Sequence, residues 1–547
     1  MLQVWVRWCP RMITSGKKAK REIQERYLPR LEQCEDRLPP GQIFGFDIDT
    51  IRDPLPSLLS SIDPGSVKDT PPVNSKGHPE MNRQSRHDSF LTGEDSGLGK
   101  TRPELAGLTM GMESARAPLP GRENNFSAEI DSLTHLVASL TGSSFENAQN
   151  SPVTLQGTLE TYCGMGEDGQ DQMEYYLNTG NDRFHMSGTE GLDDYLSGTV
   201  VTVQGIQKGD ELRLNPGGLT VRQEPGGDDA GVTGAGPSYR SMLLINLNFS
   251  DRQTRPWTLD TANNVFNNLV PNWFNEGSYG QVSSYADVTD WLTIPSGSTT
   301  CASSTWATQA QTAARAAGFE PNNYNHVIFA FPRVPACNWS GLGQVPGRLT
   351  WLNNAMNLNT AVHELGHNLG LAHSHSMRCS DGPLDGNCTT TEYGDRFDVM
   401  GSGGPAHYHA SYRSYVGWIP ASDRYTVTPA NGSADVVLQS GESSYGTRIL
   451  RIQRTGRNDY LFVETREAVG FDSVLGQYPL IQTGVEVYVG TNFRNQSIVD
   501  VGFQTPTLAD APLQLGDVLY DYAGDVAIYP YYSADDDTYV YVWYGLG

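Results

Sequence analysis

The chain has 547 residues, of which 38% are hydrophobic, and a formal net charge of −24. An acidic chain without clustered Lys and Arg excludes nucleic acid as a partner, because phosphate binding needs concentrated positive charge. The longest apolar runs, such as Met242 to Ile245 and His326 to Phe331, are strand-sized, which excludes a helical membrane span.

With 58 Gly and 32 Pro, the length reads as a multidomain protein with one packed core among loop-rich β modules. Residues 1–145 are low-complexity, rich in Pro, Ser, Gly, Asp and Arg, with a short helical pattern over Ile130 to Leu140, and read as mostly disordered. Near the start, an apolar patch from Val4 to Trp8 precedes basic residues, the reverse of the order in a secretory signal. There is no clear signal peptide at this start, yet the downstream sequence looks secreted, so the expectation is that the true start differs from Met1. Sequons at Asn125, Asn248, Asn338, Asn387, Asn431 and Asn495 are permissive for glycosylation.

Over 150–222 the pattern becomes short alternating runs: Val153 to Leu159, Met173 to Leu177, Arg183 to Met186, Thr199 to Val203 and Glu211 to Leu214. Punctuated by Gly and Asn-Asp turns, they predict a small β-barrel or sandwich, OB-like, whose position makes it a candidate prodomain. Residues 223–237 are rich in Gly, Pro and Asp and read as a linker and activation-cleavage zone.

An α/β catalytic domain is expected over 238–422. It opens with a strand, Met242 to Phe249, and a helix that puts Leu259, Ala262, Val265, Phe266 and Leu269 on one face, with Thr258 or Asp260 as cap. A second helix near Thr305 to Ala317 leads to His326–Ala330, apolar enough for a strand buried on both faces. The short strand Gly347 to Leu352 comes directly before the stretch that dominates the chain, His363-Glu364-Leu365-Gly366-His367-Asn368-Leu369-Gly370-Leu371-Ala372-His373.

On a helix, residues four apart share a face, so His363 and His367 can aim imidazole nitrogens at one metal while Glu364 stands beside it as a base. Gly370 supplies the positive φ that reverses the chain and returns His373 as a third ligand. Three protein ligands leave a position open for water, the arrangement of a catalytic zinc site. Downstream, Tyr393 to Gly403 is a glycine-rich turn that places Met400 after polar, loop-forming sequence.

With these two elements the chain resembles the metzincins, whose histidine motif is followed by a methionine turn under the metal. The wording HELGHNLGLAHS followed by GDRFDVMG is most similar to the gametolysin family, most specifically over 350–420. The resemblance implies Zn2+ on His363, His367 and His373, Met400 beneath them, and hydrolysis of extracellular proteins through a zinc-activated water with Glu364 as general base. Matrix or cell-wall glycoproteins are the family's best-known substrate class, and the partner is a protein or peptide substrate. The resemblance also implies that the strand at Gly347 to Leu352 is the sheet edge that pairs with substrate. Several metzincin families carry a tyrosine two residues after the methionine, where this chain has Ser402; Tyr408 and Tyr412 are nearby without a role fixed by spacing. Two other readings stand beside this one: a secreted binding protein on a degenerate protease scaffold, and a peptidase of a neighbouring metzincin family. Intact Glu364 speaks against the first, and few cysteines and no glycine-rich calcium repeats against the second.

His375, His407 and His409 offer a second metal site only against the commoner reading of wall or surface histidines. Over 423–547, runs such as Asp435 to Leu438, Thr447 to Ile452, Tyr460 to Val463, Val485 to Val489 and Thr538 to Trp543 predict a tyrosine-rich C-terminal β-sandwich. Asp535 to Asp537 read as a solvated acidic turn, with Ca2+ the alternative. Nothing in the sequence sets an oligomeric state.

Seven cysteines leave at least one thiol outside a disulfide. Cys301 with Cys337 and Cys379 with Cys388 make the simplest pairing, and Cys163 is alone in the candidate prodomain. A thiolate is a strong ligand for an open zinc position, which makes Cys163 a candidate cysteine switch, although its flanks share only Cys163-Gly164 with the best-known switch motif. Against that stand pairing of Cys163 with Cys9 or Cys34, and blocking by Asp168 or Asp171.

Overall fold

The computed structural model describes residues 42–43, 46–47, 151–166, 171–192, 195–225 and 238–546, and among these the chain is mostly β-sheet with few helices. The expectation of disorder over 1–145 therefore lies outside the described residues, except for an antiparallel pair of two-residue strands, Gln42–Ile43 and Phe46–Asp47. So do Cys9, Cys34, Asp168 and the linker from 226 to 237.

Five strands form a closed barrel: β1 (Ser151–Gly166), β2 (Asp171–Asn178), β3 (Arg183–Ser187), β4 (Val200–Lys208) and β5 (Glu211–Gln223). The pairing runs β1–β2–β3–β5–β4 and back to β1, antiparallel except for β3 with β5. Alternate residues such as Leu177, Phe184, Met186, Val201 and Leu212 point inward and fill it, as the alternating sequence predicts. β1 is too long for the barrel alone. Its first half closes the barrel against β4, and its last residues continue outward as a strand of the neighbouring sheet.

That neighbour contains β6 (Ser238–Phe249), β7 (Val282–Val288), β8 (Leu292–Ile294), β9 (His326–Phe331), β10 (Trp339–Gln344) and β11 (Leu349–Asn353). The order is β8–β6–β9–β11–β10, parallel except for β10, with β7 also on β6. In β6, Leu243, Ile245 and Leu247 pack on one face and Met242 and Leu244 on the other, so both faces are covered. Helix α1 (Leu259–Asn264) starts at Thr258, whose hydroxyl accepts the Thr261 N–H at 3.1 Å. A π-helical turn (Val265–Leu269) joins it to α2 (Val270–Gly277), and α3 (Ser303–Ala316) packs through Trp306, Ala310 and Ala314 on the opposite face.

Two features correct the sequence reading. The strand preceding the histidine motif, β11, is interior, flanked by β9 and β10; the border of the catalytic sheet is β10, a glycine-rich strand without an alternating pattern. Asn248 is buried in β6, with its Oδ1 accepting the Thr293 hydroxyl at 2.7 Å, so that sequon is inaccessible to a glycan.

After α4 (Leu358–Asn368) the chain forms β12 (Ser374–Cys379) and β13 (Cys388–Thr391), then the short α5 (Ala410–Tyr415). It continues with β14 (Arg424–Val427), β15 (Ser433–Gln439), β16 (Ile449–Gln453), β17 (Tyr460–Glu464), β18 (Gly484–Gly490), β19 (Gln496–Val499) and β20 (Leu513–Gln514). The last strands are β21 (Leu519–Asp521), β22 (Val526–Ala534) and β23 (Asp537–Tyr544). β13–β12–β19–β18–β17–β16–β14 is one sheet, with β20 on β18, so residues on both sides of position 422 share it. The sheet β15–β23–β22–β21 packs on it through Val436, Leu438, Val463, Val487, Val540 and Val542.

Disulfides join Cys301 to Cys337 and Cys379 to Cys388, the second between cross-strand partners of the β12–β13 hairpin. Asp535 to Asp537 lie at the β22–β23 turn, where the Asp537 carboxylate accepts from Gln439 Nε2 at 2.7 Å. Among the described residues no helix is long and apolar enough to cross a membrane.

Candidate metal centre

Asn357 caps α4, its side-chain oxygen accepting the Thr360 N–H at 3.0 Å, and the helix carries His363, Glu364 and His367 into a fully buried position. Gly370 takes φ 95°, ending the helix and returning His373, also buried, to the same point. Ring centroids of His363, His367 and His373 lie 4.9, 5.1 and 4.7 Å apart pairwise.

Every Nδ1 of the three is committed. His363 Nδ1 donates to the Val399 carbonyl at 2.7 Å, His367 Nδ1 to the Leu371 carbonyl at 2.9 Å, and His373 Nδ1 to a Glu392 carboxylate oxygen at 2.9 Å. Carbonyl and carboxylate oxygens only accept, so the protons sit on Nδ1 and the lone pairs on Nε2. His363 Nε2 is buried without a hydrogen-bond partner, and His367 Nε2 lies 3.0 Å from His373 Nε2, two lone pairs that a cation between them would reconcile. These donors fit a metal such as zinc, and the oriented second ring nitrogen is what metal-binding histidines use. Burial, with His373 adding to it, pushes His363 down to about 3 and His367 well below its ordinary value, so both are neutral. Burial also raises the Glu364 carboxyl well above its usual range, and both its oxygens are buried without hydrogen-bond partners.

Cys163 joins this group. Its Sγ lies 3.7 Å from His373 Nε2, and the ligand atoms of Cys163, His367 and His373 all lie within 4.8 Å of one another. The approach follows from β1 continuing antiparallel onto β10, with Cys163 opposite Gly343 and Gly164 opposite Leu342. β10 in turn lies flush on the helix: a Cβ on Gly341 would land on the Glu364 carboxylate, and one on Gly343 would come within 2.8 Å of the Glu364 carbonyl and the His367 Cβ. The same closeness explains Gly366, where a Cβ would collide with the sulfur of Met400.

Met400 is fully buried against that glycine, in a turn built by Asp395, which accepts from Phe397 N at 2.8 Å, and Asp398, which accepts from Met400 N at 2.6 Å. Tyr408 and Tyr412 are buried and structural: their hydroxyls donate to the Val362 carbonyl at 2.7 Å and the His373 carbonyl at 2.9 Å. The Ser402 N–H donates to the Asp395 carbonyl at 2.6 Å. His375, His407 and His409 do not gather: His375 pairs with Glu392, His407 with Glu276, and His409 lies 3.8 Å from Glu464.

Two residues at the centre carried no signal in the sequence. Glu392 accepts from His373 and lies 3.1 Å from His375 Nδ1; burial works to raise its carboxyl, and the two histidines together more than offset it, holding it below its ordinary value. Tyr393 lies with its ring 4.0 Å from that of His373 and its hydroxyl donating to the Gly164 carbonyl at 3.1 Å. Its φ of 52° is a left-handed conformation uncommon for a bulky residue and frequent at functional sites. Both reach the histidines because the β12–β13 hairpin folds back. A cavity of about 300 Å³ opens beside Cys163, His373, Glu392 and Arg494. A second of about 310 Å³, between Arg183 of the barrel and Gln311 of α3, is lined by none of the histidines.

No curated protein matches the chain. A solved structure titled "Structure of a chaperone-substrate complex" is 17% identical at a TM-score of 0.18, covering 40% of this chain and 34% of that one, a likeness that carries no argument. The chain thus spans about a third of the length of that structure. Residues 251–464, which hold His363, Glu364, His367, His373 and Met400, match the family described as gametolysin peptidase M11, so over that stretch the chain is similar to gametolysin-like metallopeptidases.

Proposed function

We propose that the protein is a secreted zinc endopeptidase of extracellular proteins, made latent by its own barrel and Cys163. The observation that carries this reading is the set of three buried imidazoles with every Nδ1 bonded, their rings within 5.1 Å of one another and His367 Nε2 3.0 Å from His373 Nε2, with His363 and His367 on the helix that carries Glu364. His363, His367 and His373 would hold the metal, which supplies Lewis-acid polarisation of the scissile carbonyl and acidifies water. Glu364 takes the proton of the attacking water and returns it to the leaving amine; its buried, raised carboxyl suits a group that must hold a proton between those steps.

An extended substrate adds to the border strand β10, whose glycines keep the backbone against Glu364. In the described chain β1 fills that place, and the Gly164 carbonyl bonded by Tyr393 stands where a substrate carbonyl would lie. Tyr393 thereby supplies the polarising hydroxyl that Ser402 cannot. Loss of the barrel by cleavage in 223–237 frees the edge and the thiol position together. The catalytic unit comprises 238–422 with the sheets of 423–547 attached, since β12 belongs to them.

The test is casein hydrolysis by linker-cleaved protein, with and without a chelator. Hydrolysis that is abolished by the chelator and restored by stoichiometric zinc supports the reading; chelator-insensitive hydrolysis, or none, overturns it. Tyr393→Phe should lower kcat with KM and zinc content unchanged, and an unchanged kcat removes Tyr393 from the chemistry.

A further inference from the structure

The sheet β15–β23–β22–β21 buries one face and turns the other to solvent. Along β23, Val540 and Val542 enter the core, so the period of two aims Tyr539, Tyr541 and Trp543 outward. A bulge in β22, where the register shifts between Pro530 and Tyr532, adds both Tyr531 and Tyr532, with rings 6.0 and 5.6 Å from that of Tyr539. Ala527 stands opposite both Tyr520 and Trp543, and over this small side chain the two rings meet edge to face at 6.2 Å. Tyr522 stacks on Tyr520 at 10° and Trp543 on Tyr541 at 24°.

The result is a continuous aromatic platform across three strands. Tyr522 is 56%, Tyr532 53% and Tyr520 40% exposed, and a contiguous exposed aromatic patch of this kind marks an interaction surface. We propose that this face binds a neutral polysaccharide, whose pyranose rings lie flat on the aromatic rings.

Three properties choose that occupant. The electron-rich ring faces suit the polarised C–H face of a sugar, and the tyrosine hydroxyls with Asp435, which accepts from Tyr531 at 3.1 Å, offer hydrogen bonds to sugar hydroxyls. The outward positions hold Asp435 and Asp537 and no Lys or Arg, so with a net charge of −24 the surface turns away anionic glycans and nucleic acid. A protein-binding core mixes aliphatic, Met and Arg anchors with its aromatics, whereas Val437 is the largest aliphatic side chain here. Such a face would hold the protein on a polysaccharide-rich matrix.

The test is retention of the full chain on cellulose, chitin, xylan and mannan, with heparin beads and immobilised collagen as the other arms. Wild type should be held by at least one neutral polysaccharide and not by heparin. The Tyr522→Ala/Tyr532→Ala double variant, which alters two mainly exposed rings and so preserves the fold, and Trp543→Ala should each weaken retention about tenfold. Hydrolysis of a small peptide by the cleaved protein should not change. Retention on none of the four polysaccharides overturns the proposal, as does retention unaffected in both variants. Collagen binding lost with the same substitutions assigns the face to a protein and also overturns it.

Discussion

Cys163 Sγ lies 3.7 Å from His373 Nε2 although 210 residues separate them. The thiol arrives on a strand that also covers β10, from Tyr162 opposite Gln344 to Gly166 opposite Trp339. The proposed obstruction therefore has two parts, a sulfur at the histidines and a backbone on the sheet edge, and substitution can separate them.

Cys163→Ala should raise the peptidase activity of the uncleaved chain several-fold and leave it well below that of the linker-cleaved protein, because the backbone of β1 still fills the edge. Fluorogenic-peptide assays of both forms decide this. A variant precursor as silent as wild type, beside an active cleaved form, would show that the block is steric alone.

Glu364→Gln should retain the metal and lose about 10²–10⁴-fold in kcat, since the ligands stay while the proton acceptor is gone. Metal analysis and kcat are measured on the same cleaved sample. Activity within tenfold of wild type at equal metal content would sink the assigned role.

Removing the His373 partner should be felt at the metal before the fold. Glu392→Gln weakens the orienting bond at 2.9 Å, and metal affinity should fall about ten- to a hundredfold, measured by competition with a chromophoric chelator. His373→Ala should fall further. If His373→Ala keeps its metal through dialysis against a mild chelator, His373 is not the third ligand.

Arg466, from the segment after β17, reaches the methionine turn: Nη1 donates to the Phe397 carbonyl at 2.6 Å, and Nη2 to the His407 carbonyl at 3.1 Å and to Asp472 at 2.6 Å. Both ions of that pair are fully buried, so Arg466→Met leaves a buried carboxylate alone and should cost about 3–5 kcal/mol in denaturant unfolding. Burial acts to raise the Asp472 carboxyl, and Arg466, His407, Glu442 and Arg413 together more than offset it, so the folded value is depressed below the ordinary 3.8. A depressed carboxylate stabilises the fold above its unfolded value and loses that contribution as pH falls. The gap between wild type and Arg466→Met should thus be full above pH 3.8 and narrow below it. A gap that does not change with pH would assign the cost to packing.

The histidine motif and methionine turn were legible in the chain because their geometry is local. Positions 363 and 367 share a helix face, Gly370 permits the reversal to 373, and Asp395 and Asp398 build the turn around Met400 from neighbouring backbone. The barrel strands were legible for a similar reason, since Val201, Leu212 and their alternating neighbours have one face to bury. The two disulfides followed from having four cysteines downstream of the linker and few ways to pair them.

Sequence alone could not find the border strand β10, because Gly341 and Gly343 are dictated by the helix lying on them and leave no hydrophobic period to read. Nor could it bring Glu392 and Tyr393 to His373, or gather Tyr520 and Trp543 over Ala527, since those meetings depend on hairpin folding and strand order. Local periodicity reports which face a residue buries. Which other element it meets there is set by long-range pairing, whose partners are decided by the packing of the whole sheet, and only the tertiary structure contains that information.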